Sequence, residues 1–203
     1  GSGIAQLHDG TITISGVQVD PAGNVSQVSN ARFVLDTVAP TLDLHNTNAG
    51  TGTSTAISAA LATSFSSNSA LLPNVAAVTD ADVLKITLDF AETGNGLKAG
   101  DRLKVGSIGA TAQDLDLNSA TDLAGTGVSL GSLTGLDYSY SASSHQLSLF
   151  KHDGSAFAEN SIAWLLGSLQ FMNPSATPGT RDFAVQLIDR ASNDVFAAGS
   201  LVI

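Results

Sequence analysis

Phe183-Ala184-Val185-Gln186-Leu187-Ile188, followed by Asp189-Arg190-Ala191-Ser192-Asn193-Asp194 and later by Ser200-Leu201-Val202-Ile203, decides the fold class. A period of two sends one side chain into a core and the next away from it, which marks a strand. The polar run between the two apolar stretches has the composition of a turn. Working outward, the same short alternation recurs in Thr11-Ile12-Thr13-Ile14, Val17-Gln18-Val19, Arg32-Phe33-Val34-Leu35, Leu84-Lys85-Ile86-Thr87-Leu88 and Gln146-Leu147-Ser148-Leu149, with Gly, Asn, Asp and Pro between them. This pattern predicts an all-β chain of antiparallel sheets packed face to face as a β-sandwich. One stretch departs from it. In Ser161–Leu169 the residues Ile162, Leu165, Leu166 and Leu169 fall at helical spacing and Gly167 interrupts them, which predicts one short helical turn capping an end of the barrel, then a strand through Phe171.

Composition narrows the function classes. With 203 residues the chain has room for one large or two modest β domains. Only 13% of residues are charged, 18 acidic against 8 basic, for a net charge of -10. Nucleic-acid binding needs clustered Lys and Arg to displace counterions, so no nucleic-acid partner is expected. The excess of carboxylates suits a hard, oxygen-ligated cation such as Ca²⁺. The absence of cysteine removes disulfides, thiolate nucleophiles and cysteine-based zinc sites. No apolar run approaches the roughly 20 residues of a membrane helix, so no membrane insertion is expected, and Gly1-Ser2-Gly3 reads as a cloning remnant or an internal cut of a longer chain, not a signal peptide.

A boundary is expected at Thr37-Val38-Ala39-Pro40, because Pro cannot donate to a sheet ladder and holds the residue before it extended. Two domains follow, 1–40 and 41–203. Between Asn46 and Ser69 small polar residues dominate, yet Ala56, Ile57, Leu61 and Phe65 are too apolar for a free linker, so a first edge strand with loose loops is expected there.

Asp9-Gly10-Thr11, Val19-Asp20-Pro21-Ala22-Gly23-Asn24-Val25-Ser26 and Phe33-Val34-Leu35-Asp36-Thr37-Val38-Ala39-Pro40 resemble the last strands and exit linker of bacterial immunoglobulin-like (Ig-like) repeats from giant surface adhesins. From Thr41 a second resemblance begins, to the cadherin-like repeats of RTX-type and related biofilm-associated adhesins. It is carried by Val78-Thr79-Asp80-Ala81-Asp82, Gly96-Leu97-Lys98-Ala99-Gly100-Asp101-Arg102-Leu103, Tyr138-Ser139-Tyr140, Gln146–Leu149 and Leu165–Arg181. Within the last of these, Asn173-Pro174-Ser175-Ala176-Thr177-Pro178-Gly179-Thr180-Arg181 is the most specific. Two features depart from the repeat: His45 stands where Asp is common, and Asp114–Leu136 reads as a loop-rich insertion. The resemblance implies an Ig-like/cadherin-like sandwich over 41–203, preceded by the terminal strands of an Ig-like repeat. It also implies a secreted, bacterial cell-surface location, with neighbouring repeats of the same polypeptide as partners.

Asp80 and Asp82 lie two apart, so an extended strand would turn both carboxylates to one side within reach of one cation; the alternative is a turn in which they cap backbone donors. The resemblance favours calcium. Asp189, Asn193 and Asp194 offer oxygens around a hairpin that is either calcium-filled or hydrogen-bonded to itself. Asp36 and Asp43 flank the Pro40 linker, where a cation would lock two modules at a fixed angle. Asp114-Leu115-Asp116-Leu117-Asn118 starts like an EF-hand loop but has Ser119 at the sixth position and Gly125 at the twelfth, so no EF-hand is present. The four histidines, His8, His45, His145 and His152, lack metal-protease spacing, and no Gly-x-Ser-x-Gly elbow occurs. Lys85 and Lys104 are candidates for an isopeptide staple only if a buried acid accompanies them. Trp164, Phe171 and Met172 are expected in the core, as aromatic residues are scarce. Tyr138 and Tyr140 share one strand face, either in the core or lining a sugar or peptide groove with Asp137.

These readings converge on a non-catalytic extracellular module of a repetitive adhesin, rigidified by Ca²⁺, that extends or presents a binding region for cell adhesion or biofilm formation. The alternative is a domain that itself recognises a surface peptide or glycan through 110–140.

Overall fold

The computed structural model describes residues 9–44, 52–56, 63–65, 70–72, 77–79, 82–90 and 96–203. His8, His45, Ile57, Leu61 and Asp80 lie outside them. Two compact units divide between Val38 and Ala39.

The first unit is a two-stranded antiparallel ribbon, β1 (Gly10–Gly16) with β2 (Ser29–Leu35). Register sets Gly10 opposite Leu35, Ile12 opposite Phe33 and Ile14 opposite Ala31, so one face is apolar. Thr13 opposite Arg32 and Ser15 opposite Asn30 make the other face mostly polar, with Val34 opposite Thr11 as its apolar exception. Among the described residues nothing covers the apolar face: Ile14 is 58% exposed and Phe33 43%. A lone two-stranded ribbon of this kind holds half of a core.

Among its described residues the second unit is β apart from one helix. Its strands are β3 (Thr41–Asp43), β4 (Gly52–Ala56), β5 (Ala77–Thr79), β6 (Val83–Asp89), β7 (Arg102–Ile108), β8 (Thr111–Asp116), β9 (Leu123–Leu130), β10 (Leu133–Ser141) and β11 (Gln146–Lys151). Helix α1 (Glu159–Ser168) then leads to β12 (Gln170–Met172), β13 (Thr180–Asp189) and β14 (Asp194–Val202). One ladder runs β9-β10-β11-β6-β13-β14-β4 and a second β12-β7-β8; they meet where Ser107 of β7 pairs with Ser129 of β9. Strands β3 and β5 form a separate ribbon. Among the described residues the strand pairings are antiparallel except β4 with β14, which is parallel. The expected first edge strand is β4.

Both ladders contribute to one core. Ile86 and Leu88 of β6, Leu147 and Leu149 of β11, and Val185 and Leu187 of β13 are buried with Leu103 and Val105 of β7, Leu115 of β8 and Phe171 of β12. The arrangement is that of two packed β layers. Tyr138 and Tyr140 both point into this core and resolve the open alternative in favour of packing. Tyr138 lies against Gly125 of β9, where any Cβ would collide with its ring, so the absence of a side chain there makes room for the ring.

Three expectations are corrected. The helical turn is a ten-residue helix, because Ile162, Leu165 and Leu166 bury one face and Gly167 is accommodated near its end. Trp164 is 40% exposed instead of buried: it points away from that face and its ring covers Gly131, which has φ +56 in the β9–β10 turn and no room for a Cβ beneath the ring. The loop-rich insertion Asp114–Leu136 is largely strand, spanning the end of β8, all of β9 and the start of β10. Its glycines and threonines concealed an alternation that the two-sheet register makes visible.

At one end of the core sits a buried ion pair. Arg181 and Asp101 are 1% and 0% exposed. Arg181 donates from Nη2 to Asp101 Oδ1 at 2.9 Å and from Nε to Oδ2 at 3.0 Å. Asn173 Nδ2 donates to Oδ1 at 2.7 Å, and the Lys98 amide to Oδ2 at 2.7 Å. Arg181 Nη1 finds the Gly179 carbonyl at 2.8 Å, while Asn173 Oδ1 accepts from the Ser175 amide at 3.0 Å. Gly100, at φ +88, completes the Lys98–Asp101 turn. The Lys-x-Gly-Asp and Asn-x-Ser-x-Thr-Pro-Gly-x-Arg stretches are thus two halves of one device. Removing one partner leaves the other charge uncompensated in the core, a loss of about 3–5 kcal/mol. Asp101→Ala should therefore lower stability by about that amount in urea unfolding, and Arg181→Lys should be costly too, because an ammonium cannot reproduce the bidentate contact. Thr87 supplies the opposite case: its hydroxyl is buried and has no hydrogen-bond partner among the described residues. Thr87→Val keeps the branched shape and should raise stability by about 1 kcal/mol in the same assay.

Candidate functional site

The polar run after β13 closes on itself. Asp189 Oδ1 accepts the Asn193 amide at 2.8 Å and Oδ2 accepts Asn193 Nδ2 at 2.9 Å. The Asp189 amide donates to the Asn193 carbonyl at 3.0 Å, and the Ser192 amide to the Asp189 carbonyl at 3.2 Å, with Ser192 at φ +70. The first unit repeats these four bonds and adds one, from the Ala22 amide to Asp20 Oδ1 at 2.9 Å. Asp20 Oδ1 accepts the Asn24 amide at 2.8 Å, and Oδ2 accepts Asn24 Nδ2 at 2.8 Å. The Asp20 amide reaches the Asn24 carbonyl at 3.0 Å and the Gly23 amide the Asp20 carbonyl at 3.0 Å, with Gly23 at φ +87. Asp20-Pro21-Ala22-Gly23-Asn24 and Asp189-Arg190-Ala191-Ser192-Asn193 are one turn used twice, once in each unit. The shared Asp-x-Ala-x-Asn spacing is the sequence signal for it, masked at the second site by Arg190 and Ser192.

The other expected metal ligands are dispersed. Asp194 is exposed and accepts from Gln186 Nε2 at 2.8 Å. Asp82 is exposed just before β6, and its carbonyl accepts the Arg190 amide at 3.0 Å, which brings it beside the Asp189 turn. Asp43 ends β3; Asp36, in the first unit, accepts the Val38 amide at 3.0 Å. Among the described residues, no three His, Asp or Glu side chains gather into a metal-binding group. Asp114 pairs with Arg102 at 2.8 Å, and Asp116 accepts the Asn118 amide at 2.9 Å, so the EF-hand-like stretch is spent on strand and turn contacts. His145 Nδ1 lies 3.1 Å from the Tyr140 hydroxyl, which donates to the Leu117 carbonyl. Burial, with the nearby Asp116 charge, pushes the Tyr140 hydroxyl up to about 12.

The surface of the β9-β10-β11 layer is different in character. Pairing sets Ser139 between Ala124 and Ser148, and Ser141 opposite Gln146, all on the side away from the core. With Asp122 they line an open groove of about 380 Å³. Asp137 opposes Phe150 on the same side, and Phe150 is 37% exposed. Asp137 Oδ1 accepts the Gly127 amide at 2.9 Å, and Oδ2 lies 2.9 Å from His152 Nδ1. Burial raises the Asp137 pKa, but the Gly127 amide and His152 outweigh it and hold the carboxyl below its ordinary 3.8. The Asn24 side chain and amide lower Asp20 likewise, and Ser155 lowers Asp153.

Comparison with protein-family models, curated proteins and solved structures finds no match to the chain. The geometry therefore carries the functional reading.

Carboxyls held below their unfolded value contribute stability above that value and lose it as pH falls through the lower folded one. Urea midpoints followed from pH 6 downward should stay level to about pH 4 and then drop. Asp137→Asn should make the acid limb shallower.

Proposed function

We propose that the chain is a non-catalytic extracellular module from a repetitive bacterial surface adhesin, serving to extend or present a binding region. The carrying observation is the turn used twice: two successive units each contain a hairpin closed by Asp-x-Ala-x-Asn with the same four hydrogen bonds. Tandem modules built on one local device are the mark of repeat arrays, whose units serve as spacers and scaffolds. The uncovered apolar face of the β1–β2 ribbon supports reading it as the closing hairpin of a preceding Ig-like repeat, and the layered second unit supports an Ig-like or cadherin-like repeat. A surface in which few residues are charged and many carry hydroxyls suits an exposed filament.

Calcium belongs to this proposal through Asp43, Asp80 and Asp82; the oxygens of Asp189 are taken up by its own turn. An ion that binds the folded state at about a hundred times its dissociation constant adds about 2.7 kcal/mol, or about 5–10 °C in melting temperature for a unit of this size. Scanning calorimetry of the whole chain should show that rise in excess Ca²⁺ over EDTA, and Asp82→Asn should reduce it. Superimposable curves would remove calcium from the account.

A further inference from the structure

The groove over β9, β10 and β11 has the chemistry of a ligand site that a spacer does not need. Strand pairing already occupies the backbone amides and carbonyls beneath it, so the groove offers side chains alone. An extended peptide is bound chiefly by main-chain pairing at an open sheet edge, and this surface lies in the middle of three paired strands. What it presents is two serine hydroxyls, Ser139 and Ser141, the Gln146 carboxamide, the Ser148 hydroxyl and the Asp122 carboxylate. The side chains of Ser139, Gln146 and Ser148 hydrogen-bond to no other described residue, so their donors and acceptors remain for a ligand. Ser141 Oγ has only Ser143 Oγ, at 3.2 Å. Asp122 accepts the Ala142 amide through Oδ1 at 2.8 Å, which fixes the carboxylate and leaves Oδ2 to accept from a ligand.

Hydroxyls and carboxamides that both donate and accept, beside a carboxylate that only accepts, match a ligand whose own groups are hydroxyls. The exposed ring of Phe150, two residues beyond Ser148 on the same face, adds an apolar platform at one end of the row. Charge sets the class further. Lys85 pairs with Phe150 at the far end of the row, while Asp122 lines the groove and Asp89 pairs with Gln146 on the next strand, so the groove itself is negative. Sialylated or sulfated ligands are repelled there.

We infer that the β9-β10-β11 face is a binding site for a neutral saccharide, held by Asp122, Ser139, Gln146 and Ser148. This goes beyond the repeat-module reading and does not depend on it: a calcium-independent chain could still bind sugar here, and a calcium-bound spacer could lack the site.

The test is a printed panel of neutral gluco-, galacto- and manno-oligosaccharides with sialylated and sulfated counterparts and random peptides, probed with the whole chain. Hits are then titrated by NMR on the labelled protein. Neutral saccharides should bind, with amide shifts confined to β9, β10 and β11. Ser139→Arg, which fills the groove, and Gln146→Ala, which trims it, should each weaken a hit about tenfold or more without changing the melting temperature. If Ser139→Arg unfolds the chain, Ser139→Ala takes its place. The proposal is overturned if no neutral saccharide binds at about 10 mM, if only acidic sugars or peptides bind, or if both variants bind as the parent does.

Discussion

The second unit is organised around the carboxylate of Asp101. Four donors converge on its two oxygens, from Arg181, Asn173 and the Lys98 amide, and all sit at or near the core. These groups come from segments more than seventy residues apart in the chain, joined at a point buried from solvent. Replacing such a pair with apolar side chains of similar volume is often neutral or stabilising, so its contribution to net stability is small. What it supplies is selection. Arg181 lies on the core side of β13, in line with Phe183, Val185 and Leu187. A slip of one residue would turn those apolar side chains outward and leave Asp101 buried without its partner. The pair therefore fixes the register of β13 against its neighbours, and with it the placement of β14 and the Asp189 turn.

The turns follow a different logic. The Asp20 and Asp189 loops each saturate their Asp carboxylate within five residues, and they do so with Gly at the left-handed position in one and Ser in the other. Ser at φ +70 carries a steric cost that Gly avoids, and the same set of bonds survives it. The local device is robust enough to be reused in both units, while the ion pair occurs in the second alone among the described residues. Local closure and long-range register are thus handled by separate chemistry.

Much of this was legible in the sequence. Alternation in Phe183–Ile188, Leu84–Leu88 and Gln146–Leu149 is simple because large aliphatic residues mark the inward positions, and each became a strand. The motifs at Lys98–Asp101 and Asn173–Arg181 stood out as specific, but spacing in one dimension could not reveal that they meet. Composition misplaces Trp164 because scarcity of aromatic residues is a statement about the whole core, whereas its position on α1 depends on which helical face Ile162 and Leu165 bury. In Leu123–Leu130 the inward positions include Gly125, chosen for the Tyr138 ring, so small residues disguised a strand as a loop. The Asp189 loop carried two readings because a turn that saturates its own carboxylate and a loop that waits for a cation use the same residue types.

The groove was the least legible feature, for a physical reason. It consists of residues from three strands that become neighbours only when Ser139 pairs with Ser148 and Ala124, and its members are Ser, Gln and Asp, residue types that carry no periodic apolar signal. Period two then explains how one strand can serve both purposes. On β10, Tyr138 and Tyr140 fill the core while Asp137, Ser139 and Ser141 face the other way. Substitution on the outer face changes recognition without disturbing the packing that the Asp101–Arg181 pair holds in register. A layer fixed from within and variable without can acquire a binding surface while keeping its fold.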